Sequence, residues 1–166
     1  IRFNSKANDQ KRTLTPKQAY RNGADWLVIG RNITKGNVEK NIKKLIDHLK
    51  QEDIYDDSYI FFYSDHGGPF PRHKRAIYET GTKVPFFVKL PTGIKEKVDT
   101  NQFLSFVDFA PTVLSIAGIN IPSFQQGKPF LGKYKDESKR EYLFTSSDRF
   151  DEHPDRIRAV RGEKYK

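Results

Sequence analysis

The sequence contains no cysteine and no methionine among its 166 residues. The absence of cysteine excludes disulfide bonds, thiolate metal sites and a cysteine nucleophile within these residues. The absence of methionine, together with the polar start at Ile1, indicates an internal piece of a longer polypeptide. No apolar run approaches the roughly 18–20 residues that a membrane-spanning helix needs, and the start does not resemble a secretory signal.

Positive charge is concentrated in the first part of the chain. Residues 1–50 contain 12 Lys or Arg and 4 Asp or Glu, whereas residues 51–166 contain 18 and 17. A basic stretch indicates either a surface for phosphate or nucleic acid, or the solvated face of a helix. For the lysines between positions 40 and 50 we favour the solvated face. The change near residue 50 also indicates that two kinds of sequence meet there.

Helical signals alternate with short apolar runs, which is typical of an α/β sheet. Thr15-Pro16 and Asn22-Gly23 mark the two ends of the first helix. Further helices are predicted at residues 38–49 and 103–117. Strands are predicted at residues 26–29, 59–63, 84–90, 142–145 and 157–160, and the first two read as buried on both faces.

The stretch after the second strand carries the clearest chemistry. Asp65 and His66 follow the carboxyl end of that strand, where open α/β sheets bind their ligands. A carboxylate beside an imidazole can supply two ligands to one divalent cation. The basic residues 72–75 follow within the same loop, so the stretch has the groups that a sulfate or phosphate ester requires. Without a family resemblance, a simple turn remains the alternative.

Three segments resemble sulfatases of the alkaline phosphatase superfamily, in particular bacterial proteins related to heparan N-sulfatases. They are SDHGGPFPRHKRAIYETGTKVPFFVKLP, FLSFVDFAPTVLSIAGINIPSFQQGKPFLG and REYLFTSSDRFDEHPDRIRAVRGEKYK. The resemblance runs from about residue 40 to residue 166. It implies an α/β fold, an incomplete alkaline phosphatase-like sheet with helices, and a hydrolase of sulfuric esters or N-sulfates. The expected substrate is a sulfated small molecule or glycan, and the expected location is periplasmic or secreted.

The resemblance also implies roles for individual residues. Asp65 and His66 correspond to paired ligands of a divalent metal, for which calcium is the first expectation. Lys74 corresponds to the cation that binds sulfate. Its neighbours His73 and Arg75 are equally compatible with a functional and a surface role. Asp108 is expected to order its helix rather than to take part in catalysis.

Sulfatases make a formylglycine nucleophile from the Cys or Ser of a C/S-x-P-x-R motif, and an early Asp-Asp pair completes their metal site. Neither feature is present in this sequence. We therefore expect half of a metal site, no catalytic residue, and no hydrolysis by these residues alone.

Residues 1–36 resemble a different family, through DQKR, TPKQA and GADWLVIGRNIT. They are similar to the C-terminal, phosphate-binding end of orotidine 5′-phosphate decarboxylase, a cytoplasmic TIM-barrel enzyme of pyrimidine biosynthesis. That resemblance implies a βα unit and phosphate contacts from Arg2, Gln10, Gly30 and Arg31 to a nucleotide. For Arg31 a capping role at the strand end is the alternative.

The resulting domain prediction has three parts. Residues 1–36 form the decarboxylase-like segment, residues 37–52 a junction helix of either parentage, and residues 53–166 the sulfatase-like fragment. The favoured function is a metal-dependent sulfatase fragment. The alternatives are a decarboxylase tail fused to it, or a basic nucleic-acid-binding module. The last lacks the interleaved aromatic residues of a single-strand platform, and no membrane partner is expected.

Overall fold

The structure, a computed structural model, describes residues 14–96, 101–150 and 152–165. The predicted phosphate contacts Arg2 and Gln10 therefore lie outside the described residues. The chain divides into two compact units. The first comprises residues 1–60 and 89–94, and the second comprises residues 61–88 and 95–166. No helix in the described ranges has the length and apolar character needed to cross a membrane.

Among the described residues of the first unit there are three helices: α1 (Pro16–Arg21), α2 (Arg31–Thr34) and α3 (Val38–Gln51). In α1, the Thr15 hydroxyl accepts a hydrogen bond from the Gln18 N–H (3.3 Å), and the Thr15 N–H donates to the Gln18 side chain (2.9 Å). This reciprocal capping box satisfies backbone donors that a helix start leaves unpaired. The Asn37 side chain caps α3 by accepting from the Lys40 N–H at 2.8 Å. The predicted helices at the start of the chain and at residues 38–49 are confirmed.

Helix α3 is amphipathic. Leu49 is buried, and Ile42, Leu45 and Ile46 on the same stripe are half-buried. After helix α3, the side chain of Lys89 stabilises the turn at residues 55–58. Its ammonium donates to the carbonyls of Tyr55 (2.5 Å) and Ser58 (3.3 Å) and lies 4.4 Å from the centre of the Tyr55 ring.

The predicted strand at residues 26–29 is wrong. This segment has no regular secondary structure, and Trp26 and Val28 are 46% and 82% exposed. A strand is stable only when its backbone pairs with a neighbour. The described residues of the first unit place no strand beside this run. The expected βα unit is therefore reduced to the short helix α2.

A two-stranded sheet is formed by β1 (Ile60–Tyr63) and β2 (Phe86–Lys89), with the one-turn helix α4 (Glu79–Thr82) between them in sequence. All of these residues except Ile60 and Lys89 belong to the second unit. The strands predicted at 59–63 and 84–90 are confirmed, with slightly narrower bounds. The burial on both faces that was predicted for residues 59–63 is wrong, because Phe62 is 44% exposed. In the partner strand, Phe87 is 64% exposed. Among the described residues, side chains pack against only one face of the β1–β2 sheet.

The side chains that pack there form an aromatic cluster centred on Phe109. Its ring lies 5.2 Å from both Phe61 and Tyr63, centroid to centroid. Phe86 packs edge-on against Phe130 at 5.8 Å. Tilted and edge-to-face pairs at these separations are favourable beyond the area that they bury. The cluster fixes the end of β1, from which the candidate site extends.

The helix predicted at residues 103–117 is confirmed, with a later start. A 3₁₀ turn (Phe106–Asp108) leads into α5 (Phe109–Ile116). Asp108 is 1% exposed. Its carboxylate accepts from the N–H groups of Ser105 and Lys128, each at 2.8 Å, and pairs with the Arg140 guanidinium. Asp108 thus orders the helix start, as expected from the sequence.

The C-terminal part forms an antiparallel hairpin of β3 (Leu143–Phe150) and β4 (His153–Arg161). Its register pairs Leu143 with Arg161 and Thr145 with Ala159, and a bulge lies between Ser147 and Arg149. The two short strands predicted here are confirmed, and both extend further than the apolar pattern indicated. The described residues therefore form a mixed α/β structure with two small sheets.

Candidate functional site

Asp65 and His66 lie just beyond the end of β1, and the structure brings their side chains together. The His66 Nε2 atom is 3.4 Å from the Asp65 Oδ2 atom. The Ser64 hydroxyl donates to the His66 carbonyl at 2.7 Å, which holds the backbone of this turn. The Asp65 side chain is 82% exposed and that of His66 is 38% exposed, so both are open to a ligand.

The His66 ring has a defined proton position. Its Nδ1 atom lies 2.7 Å from the Gly67 carbonyl oxygen. A carbonyl can only accept, so the proton must be on Nδ1. In the neutral ring, Nε2 then carries a lone pair that faces the Asp65 carboxylate oxygen. The lone pairs of His66 Nε2 and Asp65 Oδ2 could therefore both coordinate one cation placed between them. Histidines that bind metals usually donate a hydrogen bond from their other ring nitrogen, as His66 Nδ1 does here.

Two glycines hold the turn against helix α4. The Gly67 N–H donates to the Gly81 carbonyl at 3.0 Å. A Cβ atom on Gly67 would lie 1.9 Å from the Thr80 carbonyl oxygen, and one on Gly81 would lie 2.1 Å from the His73 carbonyl oxygen. Both positions therefore exclude any side chain. The sequence alone does not reveal this approach, because it joins residues that are distant in sequence.

The basic loop folds back on the glycine turn. The Lys74 N–H donates to the Gly68 carbonyl at 3.1 Å, and the Lys74 side chain is exposed. Arg72 and Arg75 have left-handed backbone conformations, with φ of 63° and 70°. His73 donates from Nδ1 to the Pro71 carbonyl at 3.0 Å. The turns thus place the backbone of Lys74 beside the residues that follow the acid–imidazole pair.

The described residues contain no cluster of three or more His, Cys, Asp or Glu side chains that could hold a metal ion. Within those ranges, no third side chain of these types joins Asp65 and His66. Roles for Asp65 and His66 in metal binding and for Lys74 in sulfate binding stay predictions, and they are developed below as a proposal.

The predicted phosphate site has little structural definition. Gly30 precedes α2, and its carbonyl accepts from the Ile33 N–H at 2.8 Å. Arg31 is the first residue of that four-residue helix and is exposed. The strand expected to deliver both residues is not formed. A phosphate-binding role for Gly30 and Arg31 stays a prediction.

Two solved structures superpose on most of this chain. A protein in complex with its substrate D-glucosamine-2-N,6-O-disulfate superposes with a TM-score of 0.58 at 24% identity, over 75% of this chain and 28% of that one. A phosphonate monoester hydrolase from Silicibacter pomeroyi superposes with a TM-score of 0.54 at 27% identity, over 67% and 23%. The architecture is thus that of sulfatase-like α/β hydrolases.

Sequence comparison is more specific. The family model for sulfatases matches residues 34–119. An ulvan-active sulfatase from Formosa agariphila is 40% identical over 131 residues, which are 79% of this chain and 22% of that protein. The human N-acetylglucosamine-6-sulfatase is 35% identical over 94 residues, which are 54% of this chain and 17% of that protein. The chain belongs to the sulfatase family.

The matches cover only part of each relative and a defined segment of this chain. The chain spans about a fifth of the length of the curated relatives it matches, for example 22% and 19% of the first two. The family match begins at residue 34, so it includes helix α3, whose parentage the sequence left open. It also includes Asp65, His66 and Lys74.

Proposed function

We propose that this chain is the part of a sulfatase catalytic domain that contributes half of its cation site and a sulfate-binding lysine. The proposed substrate class is sulfated carbohydrate. Family membership supports the reaction class. The names of the relatives support the substrate class, since they include an ulvan-active sulfatase and several N-acetylglucosamine-6-sulfatases. The decarboxylase alternative has no comparable support.

The observation that carries the proposal is the Asp65–His66 pair. Asp65 Oδ2 and His66 Nε2 lie 3.4 Å apart at a strand end, and the other ring nitrogen of His66 is engaged by the Gly67 carbonyl. A divalent cation bound there would supply positive charge to the sulfate oxygens of a substrate. The carboxylate suits calcium, magnesium or manganese, and the imidazole is more typical of transition metals. Calcium is the cation that we propose, with His66 as its one nitrogen ligand from this pair.

Lys74 is proposed to bind the sulfate group of the substrate. Its ammonium is a mobile, strongly hydrated point charge with three donors, which suits an anion with several equivalent oxygens. The loop turns at Arg72 and Arg75 hold the Lys74 backbone beside Gly68. Asp65 and His66 orient the cation, while Lys74 contributes a second positive charge to the anion.

The nucleophile is proposed to lie outside these residues. The sequence has no cysteine, and no serine lies in the motif from which formylglycine is made. The chain by itself is therefore expected not to hydrolyse sulfate esters. Cation binding rather than turnover is the appropriate test.

The test uses Mn²⁺ as a paramagnetic probe of the ¹⁵N-labelled chain by NMR. Sub-stoichiometric Mn²⁺ should broaden the amide signals of residues 64–68, and added Ca²⁺ should restore them by competition. Asp65→Asn and His66→Gln should each weaken Mn²⁺ binding by about tenfold, since each removes one ligand.

Asp57→Asn serves as the matched control, because Asp57 is an exposed acid in a turn away from the ligand pair in sequence. It should leave the broadening at residues 64–68 unchanged. Broadening that persists in Asp65→Asn would contradict the proposed cation site. Displacement by Zn²⁺ but not by Ca²⁺ would contradict the proposed metal.

A further inference from the structure

Helix α4 supports the turn that carries the Asp65–His66 pair. The Gly81 carbonyl of α4 accepts from the Gly67 N–H at 3.0 Å. The Gly67 carbonyl in turn lies 2.7 Å from the Nδ1 atom of His66. A displacement of α4 would therefore move the residue that sets the orientation of the His66 ring.

The position of α4 depends on contacts with other parts of the chain. The helix has only four residues, Glu79–Thr82. Isolated helices shorter than about 12–15 residues are marginally stable in water, so its own hydrogen bonds do not hold it in place. One outside contact is local, because the Thr80 hydroxyl donates to the Arg72 carbonyl at 2.5 Å.

A second outside contact comes from the C-terminal hairpin. The Glu79 Oε1 atom lies 2.7 Å from the Nη2 atom of Arg161, the last residue of β4. The Arg161 guanidinium also lies over the Phe103 ring, with 5.2 Å between Cζ and the ring centre. The Glu79 and Arg161 side chains are 34% and 27% exposed, and the Glu79 Oε1 and Arg161 Nε atoms are buried. Partly buried charges are screened less than surface charges, so this pair can hold the first residue of α4.

A neighbouring arginine on the same strand provides a comparison. Arg158 pairs with Asp148 inside the β3–β4 hairpin, and the two side chains are 58% and 68% exposed. Successive side chains of a strand alternate between its faces, so Arg158 and Arg161 face opposite ways. Arg161 thus links the hairpin to α4, whereas Arg158 forms its pair within the hairpin.

We propose that Arg161 is a positioning residue for the cation site and acts through Glu79 and α4. The guanidinium holds the Glu79 carboxylate and with it the start of the helix. The helix holds Gly67 through the Gly81 carbonyl, and Gly67 orients the His66 ring so that Nε2 faces Asp65. The inference rests on the cation site proposed above, but the orientation of His66 can be measured without any metal.

The first measurement uses the metal-free chain. The ¹⁵N shifts of the two His66 ring nitrogens report which of them carries the proton. Above about pH 8, where an ordinary imidazole is neutral, the unmodified chain should show the proton on Nδ1. Glu79→Gln and Arg161→Gln should each shift these signals toward the average of the two tautomers, because the ring is no longer held in one orientation. The ring signals of His48, in α3 of the first unit, should not change.

The second measurement is the affinity for Mn²⁺. Each single variant should bind Mn²⁺ about fivefold more weakly, because both ligands are retained but are less well aligned. The double variant Glu79→Gln/Arg161→Gln should be no weaker than either single variant, since all three lack the same pair. Arg161→Lys keeps a positive charge beside Glu79 and should recover the affinity to within about twofold of the unmodified chain.

Arg158→Gln is the matched control, because it removes the same charge from the same strand. It should leave the His66 signals and the Mn²⁺ affinity unchanged. Circular dichroism and urea unfolding check that each variant is folded, and the isosteric Glu79→Gln carries the test if Arg161→Gln does not fold. A loss of stability in the Glu79 and Arg161 variants with unchanged His66 signals would overturn the proposal. Equal effects of Arg158→Gln and Arg161→Gln on the His66 signals would also overturn it.

Failure of this inference differs from failure of the cation site. If Mn²⁺ does not bind the unmodified chain, the cation site is wrong, and the His66 tautomer in the metal-free variants still decides whether Arg161 positions the ring. If Mn²⁺ binds the unmodified chain and Glu79→Gln equally well, with the same His66 signals, the positioning role is wrong and the cation site stands.

Discussion

Asp108 and Arg140 form an ion pair that is largely buried. The Asp108 side chain is 1% exposed and that of Arg140 is 17% exposed. The same carboxylate also accepts two backbone N–H groups. A second aspartate–arginine pair, Asp148 with Arg158, has side chains that are 68% and 58% exposed. The two pairs share their chemistry and differ in burial.

Replacement of Asp108 by alanine should lower the free energy of unfolding by about 3–5 kcal/mol, because the Arg140 charge and two N–H groups then lose their buried partner. Asp148→Ala should cost less than about 1 kcal/mol, since water replaces an exposed partner. Urea unfolding of both variants measures the difference. Equal losses would mean that burial does not govern these pairs.

At the scale of elements, the two faces of strand β2 differ in what covers them. Phe86 contacts Phe61, Phe109 and Phe130, with ring centroids 5.8–6.3 Å apart. Phe87 points to the opposite face, where Phe62 lies 6.0 Å away, and Phe87 is 64% exposed. One face therefore belongs to the core of the second unit, and the other is open to solvent.

Phe86→Ala should destabilise the chain by about 2–4 kcal/mol, because it removes a ring from a packed aromatic cluster. Phe87→Ala should cost less than about 1 kcal/mol, since an exposed ring loses little on truncation. Thermal and urea unfolding of the two neighbouring variants give the comparison. A loss at Phe87 as large as that at Phe86 would show that the outer face is covered in solution.

Helices were more predictable than strands, for a physical reason. The caps of α1 and α3 are made by Thr15 and Asn37 within the helical segments themselves, so the sequence contains them. A strand depends on a partner elsewhere in the chain. The apolar runs at residues 26–29 and 60–63 look alike, yet only the second pairs with another strand. The burial of these two runs could not be predicted either, because it depends on which other elements pack against each face.

Some features of the candidate site could be predicted from the sequence, and others depend on tertiary structure. Asp65 and His66 are adjacent in sequence and end a strand, so their meeting could be predicted. The approach of Gly67 to Gly81 depends on how the intervening loop folds. The lysines at positions 40, 43, 44 and 50 are all exposed, which agrees with the solvated helix face favoured from the sequence.

At the scale of the whole molecule, positive charge and exposed aromatic surface act in opposite directions. The net charge is +9 at pH 7, and the isoelectric point is about 9.6. Phe87, Phe124 and Phe144 are 64%, 76% and 74% exposed. Exposed apolar surface promotes association, whereas repulsion between like-charged molecules opposes it.

Self-association should therefore increase as the pH rises from 7 toward 9.6. Sedimentation velocity at a series of protein concentrations should show a concentration-dependent increase in the sedimentation coefficient near pH 9.6 and a smaller one at pH 7. Added salt at pH 7 should move the behaviour toward that at pH 9.6, because it screens the repulsion. Association that is the same at both pH values would show that net charge does not control it.

The contact between Gly67 and Gly81 has a consequence for how this protein can vary. The bond between them closes residues 68–80 into a loop whose two ends are fixed, while the side chains between the ends remain free to differ. Because both ends are fixed, we expect that an exposed side chain within the loop, such as Lys74, can be replaced without moving Asp65 or His66. Grafting this segment from a relative would test whether its side chains set the anion preference proposed for the site.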